Sequence, residues 1–340
     1  MMQTTNSMAT TDAKQLLKCV SFNMHGFNQG QSAVQELITN FNPDLIMLQE
    51  HWLTPANLNK FDQFRDYFSF GVSAMCNSVE TGMLRGRPFG GVLTMIKNRL
   101  RHVTETIHCS ERYNIVRVAN LIFVNVYLPC VGTINRQVIC EDLLSEILSW
   151  RDRYADYEWM IAGDFNSDLS TNDNLSMYVN SFANANSLNR CDVLFNKSGK
   201  PTYINEALNH SSCIDYILTS SSNVIVDFDV VDLNLNMSDH LPLIVICECN
   251  YSSCDNSHNN VSSANAINYR WDHADLNLYR EYTGVELQHV LNRLNSLITQ
   301  FNNHDLDDYT AAIDSLYDRV VDVLSTGAKL FVPQHKKNFF

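Results

Sequence analysis

Five short apolar runs in this 340-residue chain end on a polar residue, and those polar residues make one coherent chemical set. The run at 19–22 ends on Asn23, the run at 44–49 on Glu50, and the run at 121–126 on Tyr127. The run at 159–163 ends on Asp164, with Asn166 close behind, and the segment 234–237 leads into Ser238-Asp239-His240. Asp215 belongs to a sixth run, at 214–219. Strand ends gathered on one edge of a sheet are where sites assemble. Carboxylates and amides are hard oxygen ligands, suited to Mg²⁺ or Mn²⁺ rather than zinc. A metal held by one or two carboxylates keeps positions open for phosphate oxygens, and a His beside an Asp can act on a phosphoryl oxygen or a proton. The chemistry this set suits is hydrolysis of a phosphodiester or phosphomonoester.

Each residue alone has a plainer account. Asn23 after a strand reads as a turn residue. Glu50 and Asp164 read as helix caps or solvated acids, and Tyr127 as a packed strand end. His51, beside Glu50, reads as a surface histidine rather than a ligand. Together and in order, the plain accounts need six coincidences, so the joint chemical reading prevails.

The elements that hold these residues follow from apolar periodicity. Val34, Leu37, Ile38 and Phe41 predict a helix over 33–41, and Leu143, Leu144, Ile147 and Leu148 another over 141–150. Many short strands, few helices and long polar loops predict an α/β (α+β) fold, a four-layered sandwich of two packed mixed β-sheets flanked by helices. The Ser/Asn-rich stretch after residue 249 reads as a linker. Beyond it, Leu287, Val290, Leu291, Leu294, Leu297, Ile298 and Phe301 share one helical face, and Ile313, Leu316, Tyr317, Val320, Val321 and Leu324 another. These are ordinary packing surfaces of a helical hairpin. The expected organisation is a flexible N-terminus at 1–17, a domain at 18–249, a linker at 250–268 and a helical connector at 269–340.

Composition bounds the function. With 24 Lys+Arg against 37 Asp+Glu, the net charge of −13 argues against tight non-specific nucleic-acid binding. It leaves room for an enzyme that holds phosphate through a metal. A hydrophobic content of 45% with 18% charged residues excludes global disorder. No apolar run approaches a membrane span, and the N-terminus lacks an apolar signal core, so no membrane partner is expected. The expected location is intracellular, in cytoplasm and nucleus. None of the ten cysteines forms a C-x-x-C pair, so free thiols in a reducing compartment are expected.

The motifs Asn23-Met-His-Gly, Gln49-Glu50, Asn125-Val-Tyr127-Leu-Pro, Gly163-Asp164-Phe-Asn166, Ile214-Asp215-Tyr-Ile and Ser238-Asp239-His240-Leu-Pro resemble, in order, those of the endonuclease/exonuclease/phosphatase superfamily. That superfamily includes DNase I and the apurinic endonucleases. The resemblance spans about residues 18–249. It implies that Asn23 and Glu50 place a divalent metal, with Asp239 supporting the metal side. It implies that Asp164 positions or deprotonates the attacking water and that Asn166 orients water and phosphate. Tyr127 would contact the phosphate or help the leaving group. His240 would hydrogen-bond a phosphate oxygen, and Asp215 would hold its imidazole. Thr202, in Lys-Pro-Thr-Tyr, resembles a threonine that some members place on the substrate phosphate.

Two departures steer the reading within the superfamily. Apurinic endonucleases usually carry Asp where this chain has His25, and the retrotransposon branch often has a neutral residue there. Inositol polyphosphate phosphatases carry Arg where this chain has Tyr216. Tyr269-Arg-Trp-Asp272 and Gly327-Ala-Lys-Leu-Phe-Val-Pro333 resemble the connector before the reverse transcriptase of non-LTR (LINE-type) retrotransposon polyproteins. No Tyr-x-Asp-Asp polymerase motif is present in the sequence. The resemblance therefore implies a Mg²⁺-dependent endonuclease (Mn²⁺ as alternative ion) that nicks DNA, with DNA and a reverse transcriptase module as partners. The alternatives are a phosphatase or deadenylase of the same superfamily, or a catalytically dead relic acting as a binding module.

Overall fold

The computed structural model describes residues 14–76, 88–251, 274–302 and 309–333. The chain divides into two units, Met1–Ser253 and Cys254–Phe340. In the first, two six-stranded sheets pack face to face. One comprises β1 (Lys14–Asn23), β2 (Leu45–Gln49), β3 (Tyr67–Val72), β4 (Val92–Lys97), β13 (Ile225–Val230) and β14 (Leu243–Asn250). Their spatial order is β13-β14-β1-β2-β4-β3. The other comprises β5 (Thr104–Cys109), β6 (Tyr113–Val118), β7 (Leu121–Tyr127), β8 (Glu158–Asp164), β9 (Asn189–Arg190) and β12 (Asp215–Thr219), in the order β5-β6-β7-β8-β12-β9. Both are mixed, because β1 runs parallel to β2 and β7 to β8 while their other pairings are antiparallel. β10 (Tyr203–Asn205) and β11 (His210–Ser212) form a separate hairpin.

Helix α1 (Phe27–Phe41) covers the outer face of the first sheet through Val34 and Leu37. Helices α2 (Arg136–Arg153) and α3 (Asn174–Ala185) cover the outer face of the second through Leu144, Ile147, Val179 and Phe182. A short helix, α4 (Cys191–Leu194), follows β9. The layers are therefore helix, sheet, sheet, helix.

Period-two alternation explains where the polar strand ends go. On β1, Leu17 and Cys19 enter the core between the sheets, while Val20 and Phe22 face α1. On β2, Leu45 and Met47 enter that core and Ile46 and Leu48 face out; on β7, Leu121 and Phe123 enter and Ile122 and Val124 face out. Continuing the period puts Asn23, Gln49, Tyr127 and Asp164 on the inner side at the end of their strands, and Asp215 there at the start of antiparallel β12. The register sets Asn23 opposite Gln49, and Asp164 between Tyr127 and Asp215.

Several sequence boundaries move. β1 begins at Lys14 rather than near residue 18, because Lys14–Leu17 pair with Cys247–Asn250. Tyr251 is buried, its hydroxyl accepting from Arg99 Nη1 at 2.7 Å, so the first unit extends past residue 249. The rest of the expected linker lies outside the described residues. α1 begins at Phe27, earlier than its apolar spacing implied, where Phe27 packs edge-on against Phe61.

In the second unit, α5 (Leu276–Asn302) and α6 (Tyr309–Phe331) lie against each other, with Asp275 N–H donating to the Phe331 carbonyl at 3.0 Å. Val290, Leu316 and Val323 are buried. Leu291, Leu294, Ile298, Tyr317, Val321 and Leu324 are exposed, so these expected packing positions lie in solvent. Phe301 falls among side chains outside the description. No described helix is long and apolar enough to cross a membrane.

Candidate active site

At the shared edge of the two sheets, Asn23 is fully buried and its amide bridges two acids. Nδ2 donates to Glu50 Oε1 at 3.0 Å and to Asp164 Oδ2 at 2.9 Å. The bend after β2 holds Glu50 and Trp52 at φ 53° each. Such left-handed backbone costs a non-glycine residue about 1–3 kcal/mol and persists where the surroundings over-determine it. Here the Trp52 indole N–H donates to Glu50 Oε2 at 2.9 Å, and the Gly26 N–H to the Glu50 carbonyl at 2.7 Å. Gly26, at φ 93°, has no room for a side chain, since a Cβ would lie 2.6 Å from the Trp52 ring.

Asp164 closes β8 with no solvent exposure. Its Oδ1 accepts the Asn166 backbone N–H at 2.7 Å, and its Oδ2 the Asn166 side-chain amide at 3.1 Å. Asn166 also sits at positive φ and donates to the Leu128 carbonyl at 2.9 Å. Burial raises the Asp164 carboxyl well above the usual range, and the Asp215 charge adds to this, against the opposing pull of His240 and the donated amides. Tyr127, opposite Asp164 on β7, is likewise pushed far up by burial and by the charges of Glu50 and Asp164, so it stays a neutral phenol.

Across the mouth, His240 Nδ1 meets Asp215 Oδ2 at 2.9 Å, and both are buried. The other ring nitrogen, Nε2, faces Asp164 Oδ2 at 4.0 Å and Asp239 Oδ1 at 3.9 Å. Burial alone would lower this imidazole, but the Asp215 charge and hydrogen bond, helped by Asp164 and Asp239, win and push it up to about 10. Ser238 ties this loop to β1, its hydroxyl donating to the Asn23 carbonyl at 2.8 Å and accepting from His240 N–H at 3.1 Å. The Tyr203 ring packs edge-on against His240 at 5.1 Å.

The structure thus gathers Asn23, Glu50, Tyr127, Asp164, Asn166, Asp215, Asp239 and His240 at one sheet edge. Thr202 is placed beneath them: its hydroxyl oxygen accepts the N–H groups of Ile214 and Asp215, each at 3.0 Å, and so fixes the entry to β12. Tyr216, next along, points away into the outer core, its hydroxyl donating to the Cys213 carbonyl at 2.5 Å. His51 is fully buried rather than on the surface. Its Nε2 lies 3.0 Å from the Val72 carbonyl and its Nδ1 accepts the Leu53 N–H at 3.0 Å, a neutral tautomer satisfied on both sides.

Sequence reasoning missed several supports. His25 Nδ1 lies 2.8 Å from Asp239 Oδ1, an ion pair at the rim between loops far apart in the chain. Arg136 joins two site loops, donating to the carbonyls of Pro129 at 2.9 Å and Asn166 at 2.5 Å. Beneath the site, Gln49 donates to Asn125 Oδ1 at 2.7 Å, and Asn125 in turn to the carbonyls of Leu48 and Leu93, each at 3.1 Å. An amide inside the apolar run 121–127 was the one available signal.

The donor set fits a divalent cation. Asp164 is raised first by burial and then by the Asp215 charge, and a cation shared with Glu50 would favour its charged form. Glu50 and Asp164, with Asp239 at the rim, would hold it through carboxylate oxygens, and Asn23, whose Nδ2 donates to the first two, would place them for it. Among the described residues the tightest group of potential ligands is Asp164, Asp215 and His240, all buried. His240 in that group is the charge partner of Asp215, because its Nδ1 is already engaged.

The chain is similar to solved structures that share this fold. An AP endonuclease from Leishmania major superposes with a TM-score of 0.56 at 14% identity, over 70% of this chain and 88% of its own. A 3′ phosphatase from Neisseria bound to a product DNA hairpin gives 0.53 at 16%, over 67% and 98%. An AP endonuclease from Archaeoglobus fulgidus gives 0.53 at 14%, over 68% and 99%. No curated protein matches the chain by sequence. The family model for the endonuclease/exonuclease/phosphatase family matches residues 20–240, which hold the whole cluster from Asn23 to His240, and the chain belongs to that family of hydrolytic nucleases and phosphatases.

Proposed function

We propose that this chain is a Mg²⁺-dependent endonuclease that hydrolyses phosphodiester bonds of DNA. The observation that carries the reading is the buried Asp215–His240 pair at 2.9 Å, set across from Asn23 and Glu50 with Asp164 between. A bound divalent ion would supply Lewis-acid polarisation of a phosphoryl oxygen. Asp164 accepts the proton of the water that attacks phosphorus, held for that task by the two Asn166 contacts. As the water oxygen–phosphorus bond forms, the bond to the leaving oxygen breaks. His240 donates from Nε2 to a phosphoryl oxygen as charge grows there, and Asp215 keeps the ring cationic and oriented. Tyr127 offers its phenolic O–H at the same edge.

The motif difference at Tyr216, where inositol polyphosphate phosphatases carry Arg, supports a nuclease over an inositol phosphate phosphatase, although the side chain itself faces the outer core and not the site. The motif resemblance supports target nicking for a non-LTR retrotransposon, with DNA and a reverse transcriptase module as partners. The test is supercoiled plasmid with Mg²⁺, Mn²⁺ or EDTA. Relaxed circles are expected with either ion and none with chelator. Equal nicking in EDTA, or phosphate release from inositol phosphates faster than nicking, overturns the reading.

A further inference from the structure

The two helices of the second unit run antiparallel. The Asp275 N–H donates to the Phe331 carbonyl, Gly327 lies against Tyr279 and Thr283, and Arg319 Nη2 meets Glu286 Oε2 at 3.5 Å. Thr283 and Val290 on α5, and Leu316 and Val323 on α6, are buried along the seam between the helices. Beside these seam positions stand exposed apolar residues one place further along the chain. Leu291 follows Val290, Tyr317 follows Leu316 and Leu324 follows Val323. Leu294, Ile298, Ile313 and Val321 continue the two rows at helical spacing.

One residue turns a helix by about 100°. In antiparallel helices, equal turns in the winding sense land on the same side of the seam. The two rows therefore make one face, with Leu291 on α5 near the level of Tyr317 on α6. By the same count Glu286, Arg293, Arg319 and Asp322 turn to the opposite flank, where Arg319 pairs with Glu286 and Asp322. A pair of glycines gives a second, independent sign. A Cβ on Gly327 would lie 2.9 Å from the Tyr279 ring, so the seam itself requires that glycine. A Cβ on Gly284 would meet nothing within 4 Å, although glycine inside a helix costs about 1 kcal/mol against alanine. Gly284 stands at the edge of the exposed face, where the close approach of another helix gives it a role.

We infer that this face binds the same face of a second copy of the chain, so that two hairpins join about a twofold axis into a four-helix bundle. Two rows of apolar side chains on one side of a hairpin match two such rows. An axis at the level of Leu291 and Tyr317 crosses the middle of the patch, so the patch is its own complement. Its lack of charge lets two copies meet there without like-charge repulsion, in a chain whose net charge is −13. The area suffices. Exposures of 40–68% on these seven side chains amount to roughly 600 Å² per copy, or roughly 1,200 Å² for the pair, the lower end of stable interfaces. The association concerns the second unit alone and does not rest on the nuclease reading.

The test is sedimentation equilibrium of the full chain over a concentration series. A single reversible step from one chain to two is expected, with no larger species. Leu291→Glu combined with Tyr317→Glu sets four like charges together at the axis and should raise the dissociation constant about 100-fold or more. Helix content by circular dichroism should not change, because both positions are exposed in the single chain. Val285→Glu, an exposed apolar position off this face, should leave the step where it is. A chain that stays single at every concentration overturns the inference, and a lowered thermal midpoint in Leu291→Glu would then show the face covered within its own chain. Assembly beyond two copies, a dimer that the double variant leaves intact, or one that Val285→Glu breaks equally overturns it as well.

Discussion

His240 has one ring nitrogen committed to Asp215 and the other facing the mouth, and this asymmetry sets what its loss would do. His240→Ala should cut nicking roughly 10²–10⁴-fold, the usual effect of removing a preorganised donor. Asp215→Asn should be nearly as severe, and the double variant little worse than His240→Ala alone, because the carboxylate acts through the ring. Multiplicative losses in the cycle would show Asp215 acting independently. The pH dependence has a definite sign. The ring titrates at about 10 in the folded chain instead of its ordinary 6.5, so it stays cationic through neutrality and loses its proton as pH rises through 10. kcat/KM should therefore fall on a basic limb near that value. In residual-activity measurements on Asp215→Asn, the limb should move to lower pH. The same charge stabilises the fold fully below 6.5, and that contribution fades as pH rises towards 10. Trp52 tests the metal side. Trp52→Phe keeps an aromatic ring but removes the indole N–H from Glu50, so Mn²⁺ affinity by calorimetry should drop about 10–100-fold, as outer contacts to ligands typically cost. Unchanged affinity would mean that the backbone bend alone orients Glu50.

Apolar runs that stop on a polar residue are what made the site legible in the sequence. A polar residue at the end of an apolar run is visible as a break in pattern, and Asn23, Glu50, Tyr127 and Asp164 were all read that way. Contacts between elements leave no such mark. His25 meets Asp239 only because β1 and the loop before β14 converge, and Arg136 reaches Asn166 from the start of α2. His51 was misread for the same reason. Its neighbours in sequence look like a loop, while its actual partner is the Val72 carbonyl at the end of β3. That burial yields a prediction about how two elements are pinned. The folded ring is held down to about 4 by burial, which outweighs the Val72 contact. The unfolded chain binds the proton from 6.5 downward, so stability is full above 6.5 and is lost as pH falls towards 4, by about 3 kcal/mol. Urea unfolding at neutral and acid pH should show this loss, and His51→Gln should flatten that part of the profile. A wild-type profile as flat as the variant's would mean that the ring protonates without breaking its contacts.

Every residue gathered at the sheet edge precedes Ser253, and the second unit begins at Cys254. A chain ending at Ser253 keeps β14 whole and retains Tyr251, whose hydroxyl anchors Arg99 beside Asp44. Cutting before Tyr251 would instead leave the Arg99 contact unmade and open the core that Tyr251 helps fill. The helices of the second unit carry Leu291, Leu294, Ile298, Tyr317 and Val321 in solvent, more apolar surface than a hairpin that must stand alone would choose. Their sequence periodicity was readable, but which positions would find a partner was not, because periodicity marks a face and says nothing of what covers it. Whole-molecule charge adds a second constraint. At net −13, DNA is attracted only by local cations such as Lys60 and Arg112, so affinity should be weak and fall steeply between low and physiological salt. Removing residues 254–340 should leave the salt slope and the nicking rate of the first unit within about threefold of the full chain, because every candidate site residue precedes Ser253. The measurement is nicking by the 1–253 chain at matched salt, alongside its circular dichroism and thermal midpoint. A folded but inactive 1–253 chain would show that the helices complete the substrate surface, and an unfolded one that the sandwich depends on them for stability.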